Sequence, residues 1–222
     1  MPATYAVHKA VSLPEPRQWE ERSAALPPAL DGLSIVHLTD LHISPLFHAD
    51  WVSALVERVN AFAPDLILLS GDMVDGLPAR RLDDVAPLKI LRSRYGVFGC
   101  PGNHEYYSGY DFWMAKWPEL GLTMLQNAHE TLRIAGGELV IAGITDPVAA
   151  TFGLPLPDSR AALRGAPEGA FKILLGHRPA EAAQGVEAGA HLMLSGHTHG
   201  GQILGMNQLV AHFNNGYVYG WY

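Results

Sequence analysis

Cysteine is nearly absent from this chain: Cys100 stands alone among 222 residues. One thiol excludes an intramolecular disulfide and any cysteine-rich zinc site, and its place in an apolar stretch reads as a small buried hydrophobe. Clustered positive charge is missing too. Lys and Arg number 15 against 22 Asp and Glu, a formal net charge of -7. Such a balance fits poorly with a nucleic-acid backbone, so no nucleic-acid partner is expected, whereas a small anionic substrate held through cations is compatible with it. Long apolar runs are also lacking. Residues 1–32 contain no continuous segment long enough for a signal peptide or a membrane helix, and the chain is expected to be soluble as it stands.

What remains is 48% hydrophobic and 17% charged, ordinary for a single globular domain over 1–222 with a sizeable core. Pro14, Pro16, Pro27 and Pro28 mark residues 1–32 as an extended lead-in, with one edge strand expected at Tyr5–Val11. At the other end, Tyr217–Tyr222 reads as an aromatic strand without a polar tail, and the expectation is a chain that has been cut there.

The most informative stretch is Pro64–Asp72, whose apolar run Leu66–Leu69 stops on Ser70-Gly71-Asp72. It reads as a strand buried on both faces, with Asp72 at its carboxyl end, where open α/β sheets bind ligands. Four other segments repeat the pattern. Leu33–Thr39 ends on Asp40-Leu41-His42, Gly96–Pro101 on Gly102-Asn103-His104-Glu105, Phe171–Leu175 on Gly176-His177, and His191–Ser195 on Gly196-His197-Thr198-His199. Each delivers Asp, Asn or His to a strand end, and glycine beside the candidates lets the backbone turn sharply there.

Between these segments the periodicity changes. Val52, Leu55, Val56, Val59 and Phe62 recur at helical spacing after Asp50, a candidate N-cap; further helices are expected over Leu82–Leu91, over Tyr110–Leu120 up to Pro118, and from Pro179. Strand and helix therefore alternate as in a parallel sheet. The second half opens differently, with Thr131–Ala135 and Glu138–Ile144 flanking Gly136-Gly137 as a hairpin. Two packed sheets with helices outside account for both halves.

The candidate ligands Asp40, His42, Asp72, Asn103, His177, His197 and His199 offer carboxylate, imidazole and amide but no thiolate. That set suits Mn, Fe, Zn or Co and disfavours copper(I) and iron–sulfur clusters. Seven donors exceed one tetrahedral zinc but suit two ions sharing a carboxylate, which can clamp a displacement and make hydroxide available near neutrality. In Asp40-x-His42 and His197-x-His199 the two side chains fall on the same side of an extended chain.

Asp40-Leu41-His42, Gly71-Asp72-Met73-Val74-Asp75, Gly102-Asn103-His104-Glu105, Gly176-His177 and Gly196-His197-Thr198-His199 together resemble the motif set of the calcineurin-like metallophosphoesterase superfamily, in order. The resemblance implies an α/β fold, a four-layer α/β/β/α sandwich with mixed sheets. It implies two divalent metal ions (Mn, Fe or Zn), one on Asp40, His42, Asp72 and His199 and the other on Asp72, Asn103, His177 and His197, with Asp72 as the bridge. The non-ligand catalytic histidine falls on His104. Leu26–Gly32, Glu105-Tyr106-Tyr107 and His199-Gly200-Gly201-Gln202-Ile203 further resemble a bacterial branch whose members often carry N-terminal membrane helices. Membrane association is thus expected only through segments outside this chain.

The function expected is a phosphohydrolase that cleaves a small phosphomonoester or phosphodiester with a metal-bound hydroxide, His104 assisting the leaving group. Arg178 is a candidate for a substrate phosphate, because a guanidinium fork matches phosphate oxygens. Asp75 is expected to order its loop and Glu105 to support His104 or the metal surroundings. Substrate choice is expected to lie in three rim loops, Ser44–Asp50, Tyr106–Trp113 and Thr145–Pro157. Two rival readings are a silent binding module on the same fold, disfavoured by the complete ligand set, and a nuclease, disfavoured by the acidic balance.

Overall fold

The computed structural model describes residues 11–201 and 205–222. The first of its two sheets holds β1 (Ile35–Leu38), β2 (Leu66–Ser70), β3 (Val97–Cys100) and β4 (Leu122–Met124), in that order and all parallel. Helices α1 (Ala49–Ala61), α2 (Pro78–Val85), α3 (Asn103–Tyr107) and α4 (Tyr110–Glu119) connect these strands. The second sheet holds β5 (Ala128–Ile134), β6 (Gly137–Gly143), β7 (Phe171–Leu175) and β8 (Leu192–Leu194). Here β5 and β6 pair antiparallel and the rest parallel. Short helices α5 (Ser159–Ala162) and α6 (Ala182–Glu187) lie between its later strands, and α7 (Asn207–Phe213) follows β8.

Alternation along the buried strands builds the layers. Leu66, Leu68, Phe98 and Cys100 pack against Leu139, Ile141, Phe171, Ile173 and Leu175, so one face of each sheet meets the other sheet. The intervening Ile67 and Leu69 turn outward onto Val52, Leu55, Val56 and Val59 of α1 and onto Trp113 and Trp117 of α4. On the far side Val140, Ala142 and Leu174 meet Ala162 and Leu163. The result is the expected α/β/β/α sandwich, and it explains why β2 is apolar at every position from Leu66 to Leu69: both of its faces are covered.

Several local expectations are corrected. Asp50 is not the N-cap of α1; His48 is, and Asp50 sits in the first turn, where it complements the helix dipole. The helix expected over Leu82–Leu91 is divided into α2 and a 3-10 turn at Ala86–Ile90, because Pro87 cannot continue the hydrogen-bond ladder. Helix α4 runs through Pro118 to Glu119, absorbing the proline in its last turn. The hairpin turns on Ala135-Gly136 rather than Gly136-Gly137, with both residues at positive φ (50° and 90°), as a tight primed turn requires. Tyr217–Tyr222 forms no strand: the tail folds back so that the backbone amides of Val218 and Tyr219 donate to the Tyr222 hydroxyl. The edge strand expected over residues 5–11, apart from its last residue, and Gln202-Ile203 lie outside the described residues.

His37, half-buried in β1, stands outside the candidate donor groups. His37 of β1 shares a 2.7 Å hydrogen bond with Ser70 Oγ of β2, and burial pushes its pKa down to about 4, partly opposed by the charge of Asp40. Between pH 6.5 and 4 the unfolded chain takes up a proton that the folded chain refuses. Its contribution is therefore fully present above pH 6.5 and is lost as pH falls through that window. We expect His37→Gln, which cannot ionise, to flatten the fall in urea-unfolding free energy between pH 6.5 and 4. An unchanged slope would place the acid sensitivity elsewhere.

Candidate metal centre

The carboxyl ends of β1, β2, β3, β7 and β8 converge. The loop after β1 carries Asp40 and His42, the loop after β2 Asp72 and Asp75, the first turn of α3 Asn103, His104 and Glu105, the loop after β7 His177 and Arg178, and the loop after β8 His197 and His199. The first two loops prolong the sheet: the backbone N–H groups of Asp40, His42 and Ile43 donate to the carbonyls of Gly71, Asp72 and Met73 at 3.0–3.1 Å. Asp40, His42, Asp72, His197 and His199 all take positive φ, between 43° and 69°. For residues with a side chain this backbone is costly, and it persists where surroundings over-determine it.

Three groups of donors result, each with its ligand atoms within 4.8 Å of one another: Asp40, His42 and His199; Asp72, His177 and His197; and, sharing His42 with the first, His42, Asp75 and His104. In the first, His199 Nε2 lies 3.2 Å from Asp40 Oδ1 and 3.2 Å from His42 Nε2. In the second, His177 Nε2 lies 3.1 Å from Asp72 Oδ2 and 3.2 Å from His197 Nδ1. The first two groups meet at Asp72, whose Oδ2 is 3.7 Å from His42 Nε2. Asn103 Oδ1 is buried with no hydrogen-bond partner among the described residues. A buried carbonyl oxygen left without a donor is unfavourable, and a divalent cation would satisfy it. Oxygen and imidazole donors, close nitrogen pairs and an orphaned amide oxygen together fit metal ions.

The electrostatics point the same way. Burial would raise the carboxyls of Asp40 and Asp72, but hydrogen bonds and charge from His199 and His177 overcome it and hold both below the usual carboxylate range. Burial likewise opposes a charge on His177, yet its hydrogen bond and proximity to Asp72 push it up to about 9. Without a cation, an imidazolium must balance these carboxylates. His197 goes the other way, down to about 4, through burial and the positive charges of His177 and Arg178; it is neutral, as a ligand must be.

Orientation comes from hydrogen bonds to the candidate ligand rings and to the loops that carry them. His177 Nδ1 is 2.8 Å from Ser70 O and can donate to it, which leaves Nε2 facing Asp72. Asp75 does more than order its loop: one oxygen meets His42 Nδ1 at 3.1 Å and the other pairs with His104 Nδ1. That contact raises the pKa of His104, whose Nε2 lies 3.9 Å from Asp72 Oδ2. Glu105 is fully buried and accepts from the backbone N–H groups of Asp72, Met73, Val74 and Gly102 at 2.7–3.3 Å. It thus holds the Asp72 loop rather than the His104 ring. Arg178 uses Nε and Nη2 on the two oxygens of buried Asp146, at 2.8 and 3.0 Å.

Asp146 was not singled out in the sequence, although it follows the end of β6 as the other candidates follow theirs. Asp75 carried a usable signal, three residues beyond Asp72 in the same loop.

Residues 33–201 match the family model described as calcineurin-like phosphoesterase. The chain belongs to that metallophosphoesterase family. It is 37% identical over 179 residues to an uncharacterized metallophosphoesterase of Helicobacter pylori, covering 80% of this chain and 47% of the relative. It is 34% identical over 211 residues to the bovine transmembrane protein with metallophosphoesterase domain, covering 89% of this chain and 47% of that protein. The chain thus spans about half the length of these relatives. Among solved structures it resembles phosphopantetheinyl hydrolase of Mycobacterium tuberculosis at 16% identity and a TM-score of 0.42, over 66% of this chain and 68% of that one. Among the described residues no helix is long and apolar enough to cross a membrane.

The tightest glycine contact among the described residues gives a direct test. A Cβ on Gly196 would lie 1.9 Å from Thr39 Oγ1 and 2.2 Å from Asp40 Oδ2, while the neighbouring His197 N–H donates to Asp40 Oδ1 at 3.0 Å. Gly196→Ala must displace the Thr39 and Asp40 side chains or part the β8 and β1 loops. We expect it to destabilise the fold by about 1–3 kcal/mol in urea unfolding and to lower the divalent metal retained per chain. Full metal retention at parental stability would show that the two loops have room to spare.

Proposed function

We propose that this domain is a dinuclear metal-dependent phosphohydrolase acting on a small phosphomonoester or phosphodiester. The observation that carries the reading is the pair of donor groups meeting at Asp72, with His104 at their edge and the buried, unpartnered oxygen of Asn103, its neighbour in sequence. In this reading Asp40, His42, Asp72 and His199 hold one cation and Asp72, Asn103, His177 and His197 the other; Mn, Fe and Zn all suit the donors. The cations would activate water as a nucleophile and neutralise phosphoryl oxygens.

The chain's own residues do the rest. Ser70 and Asp75 fix the tautomers and ring orientations of His177 and His42. His104, its Nδ1 held by Asp75, passes the Nε2 proton to the ester oxygen as the P–O bond to it breaks and the oxygen of water bonds to phosphorus. Arg178, held by two N–H groups on Asp146, offers its remaining donors to a phosphate oxygen. Attachment to a membrane through segments outside this chain belongs to the same proposal, supported by the likeness to the bovine transmembrane protein.

The test compares metal content and turnover on a panel of phosphomonoesters and phosphodiesters for three variants in identical buffer. Asp72→Ala is expected to empty or scramble the centre. His104→Ala should keep metal near the parental level and slow turnover by about 10²–10⁴-fold. Asn103→Ala should fall between them, weakening one ion and misplacing its neighbour. A metal-replete, active Asp72→Ala would end the dinuclear reading, and a metal-depleted His104→Ala would mean that His104 is a ligand.

A further inference from the structure

We propose that Tyr107 and Phe152 form a shelf for the leaving group, so that the centre prefers phosphoesters whose departing alcohol carries an aromatic ring. The inference rests on the phosphohydrolase reading in one respect: His104 marks the side from which the alcohol departs. The Tyr107 ring lies edge-on to His104, with centroids 5.6 Å apart, and the Phe152 ring centroid is 6.3 Å from that of Tyr107. Both rings are open to solvent, 56% for Tyr107 and 46% for Phe152. Isolated exposed aromatics are ordinary on a protein surface. Two neighbouring exposed rings, one of them in contact with the proposed proton donor, make a different arrangement.

The shelf is also supported from behind. Tyr106 is buried, stacks on Tyr110 at 4.1 Å and touches Phe152 at 5.9 Å between centroids. Phe152 ends the 3-10 turn Pro147–Phe152, and Asp146 caps that turn by accepting from the Val148 N–H at 2.8 Å. The same Asp146 carboxylate holds Arg178. One buried residue thereby sets the place of both the cation offered to the phosphate and the ring offered to the alcohol. An alcohol with an aromatic ring would meet Tyr107 and Phe152 edge-on or offset, the favourable geometries for ring pairs. A short aliphatic alcohol would leave both rings wet.

The experiment uses ligands whose alcohols have similar acidity, so that leaving-group chemistry does not decide the outcome. Hydrolysis of 2-phenylethyl phosphate and propyl phosphate is measured by kcat/KM. Binding of 2-phenylethylphosphonate and propylphosphonate, which cannot be hydrolysed, is measured by calorimetry on the same metal-loaded protein. The parent chain should favour the phenyl member of each pair by about tenfold. Phe152→Ala and Tyr107→Ala should each reduce that ratio severalfold, and Phe152→Tyr should restore it. Equal affinity for the two phosphonates, or a ratio unchanged in both alanine variants, would overturn the shelf even if both esters are hydrolysed. Selective binding of the phenyl phosphonate without hydrolysis of either ester, or of the corresponding methyl diesters, would uphold the shelf and overturn the phosphohydrolase reading.

Discussion

The buried carboxylate of Glu105 is the interaction on which the ligand loops depend. It takes N–H groups from Asp72, Met73, Val74 and Gly102, so the turn after β2 and the turn after β3 share one acceptor. Burial and the negative charge of Asp72 push the pKa of Glu105 up to about 7, which measures how uncomfortable a second carboxylate is beside the bridge candidate. Four donors stabilise it there, and no neutral side chain could satisfy that many buried amides at once. Asp72 is therefore fixed through its backbone, while its side chain stays turned toward His177 and His42.

This division of labour explains where the strained backbone lies. Of the non-glycine residues with positive φ, Asp40, His42, Asp72, His197 and His199 all belong to the candidate centre. Such conformations survive only where neighbours enforce them. Here the enforcers are visible: the carbonyls of Gly71 and Asp72 for the first loop, Glu105 for the second, and Asp40 for the amide of His197. Small residues admit the close approach that this requires. A Cβ on Gly102 would sit 2.2 Å from Asp72 Oδ1, closer than any side chain could come.

Much of this was legible in the residues. An apolar run such as Leu66–Leu69 declares a doubly covered strand, and a ligand candidate at its end follows from the geometry of parallel sheets. The family resemblance gathered those ends into one site, and in the fold Asp72 Oδ2 lies 3.7 Å from His42 Nε2. Less legible were contacts that depend on long-range packing. Asp146 follows its strand like the others, but only the fold shows that it faces Arg178 from 32 positions away. The three-residue β4 is too short to show a period. The aromatic tail reads as a strand by composition, yet an aromatic strand needs an edge to pair with, and these residues pair with the Tyr222 hydroxyl instead.

Two of the donor groups draw on both sheets: Asp40 and His42 from the first with His199 from the second, and Asp72 from the first with His177 and His197 from the second. No loop alone sets the spacing of the centre. It is set by how closely the two sheets pack, hence by Leu66, Leu68 and Phe98 against Leu139, Ile141 and Ile173 below the site. Interiors of this density do not deform gradually, so a volume change in that layer is transmitted to the rim rather than absorbed. The dependence also runs in reverse. A cation bound across the sheets favours only the packed state and stabilises it by mass action. Core and centre are therefore coupled: the apolar layer fixes where the donors stand, and an occupant drawn by their charge would hold the layer shut.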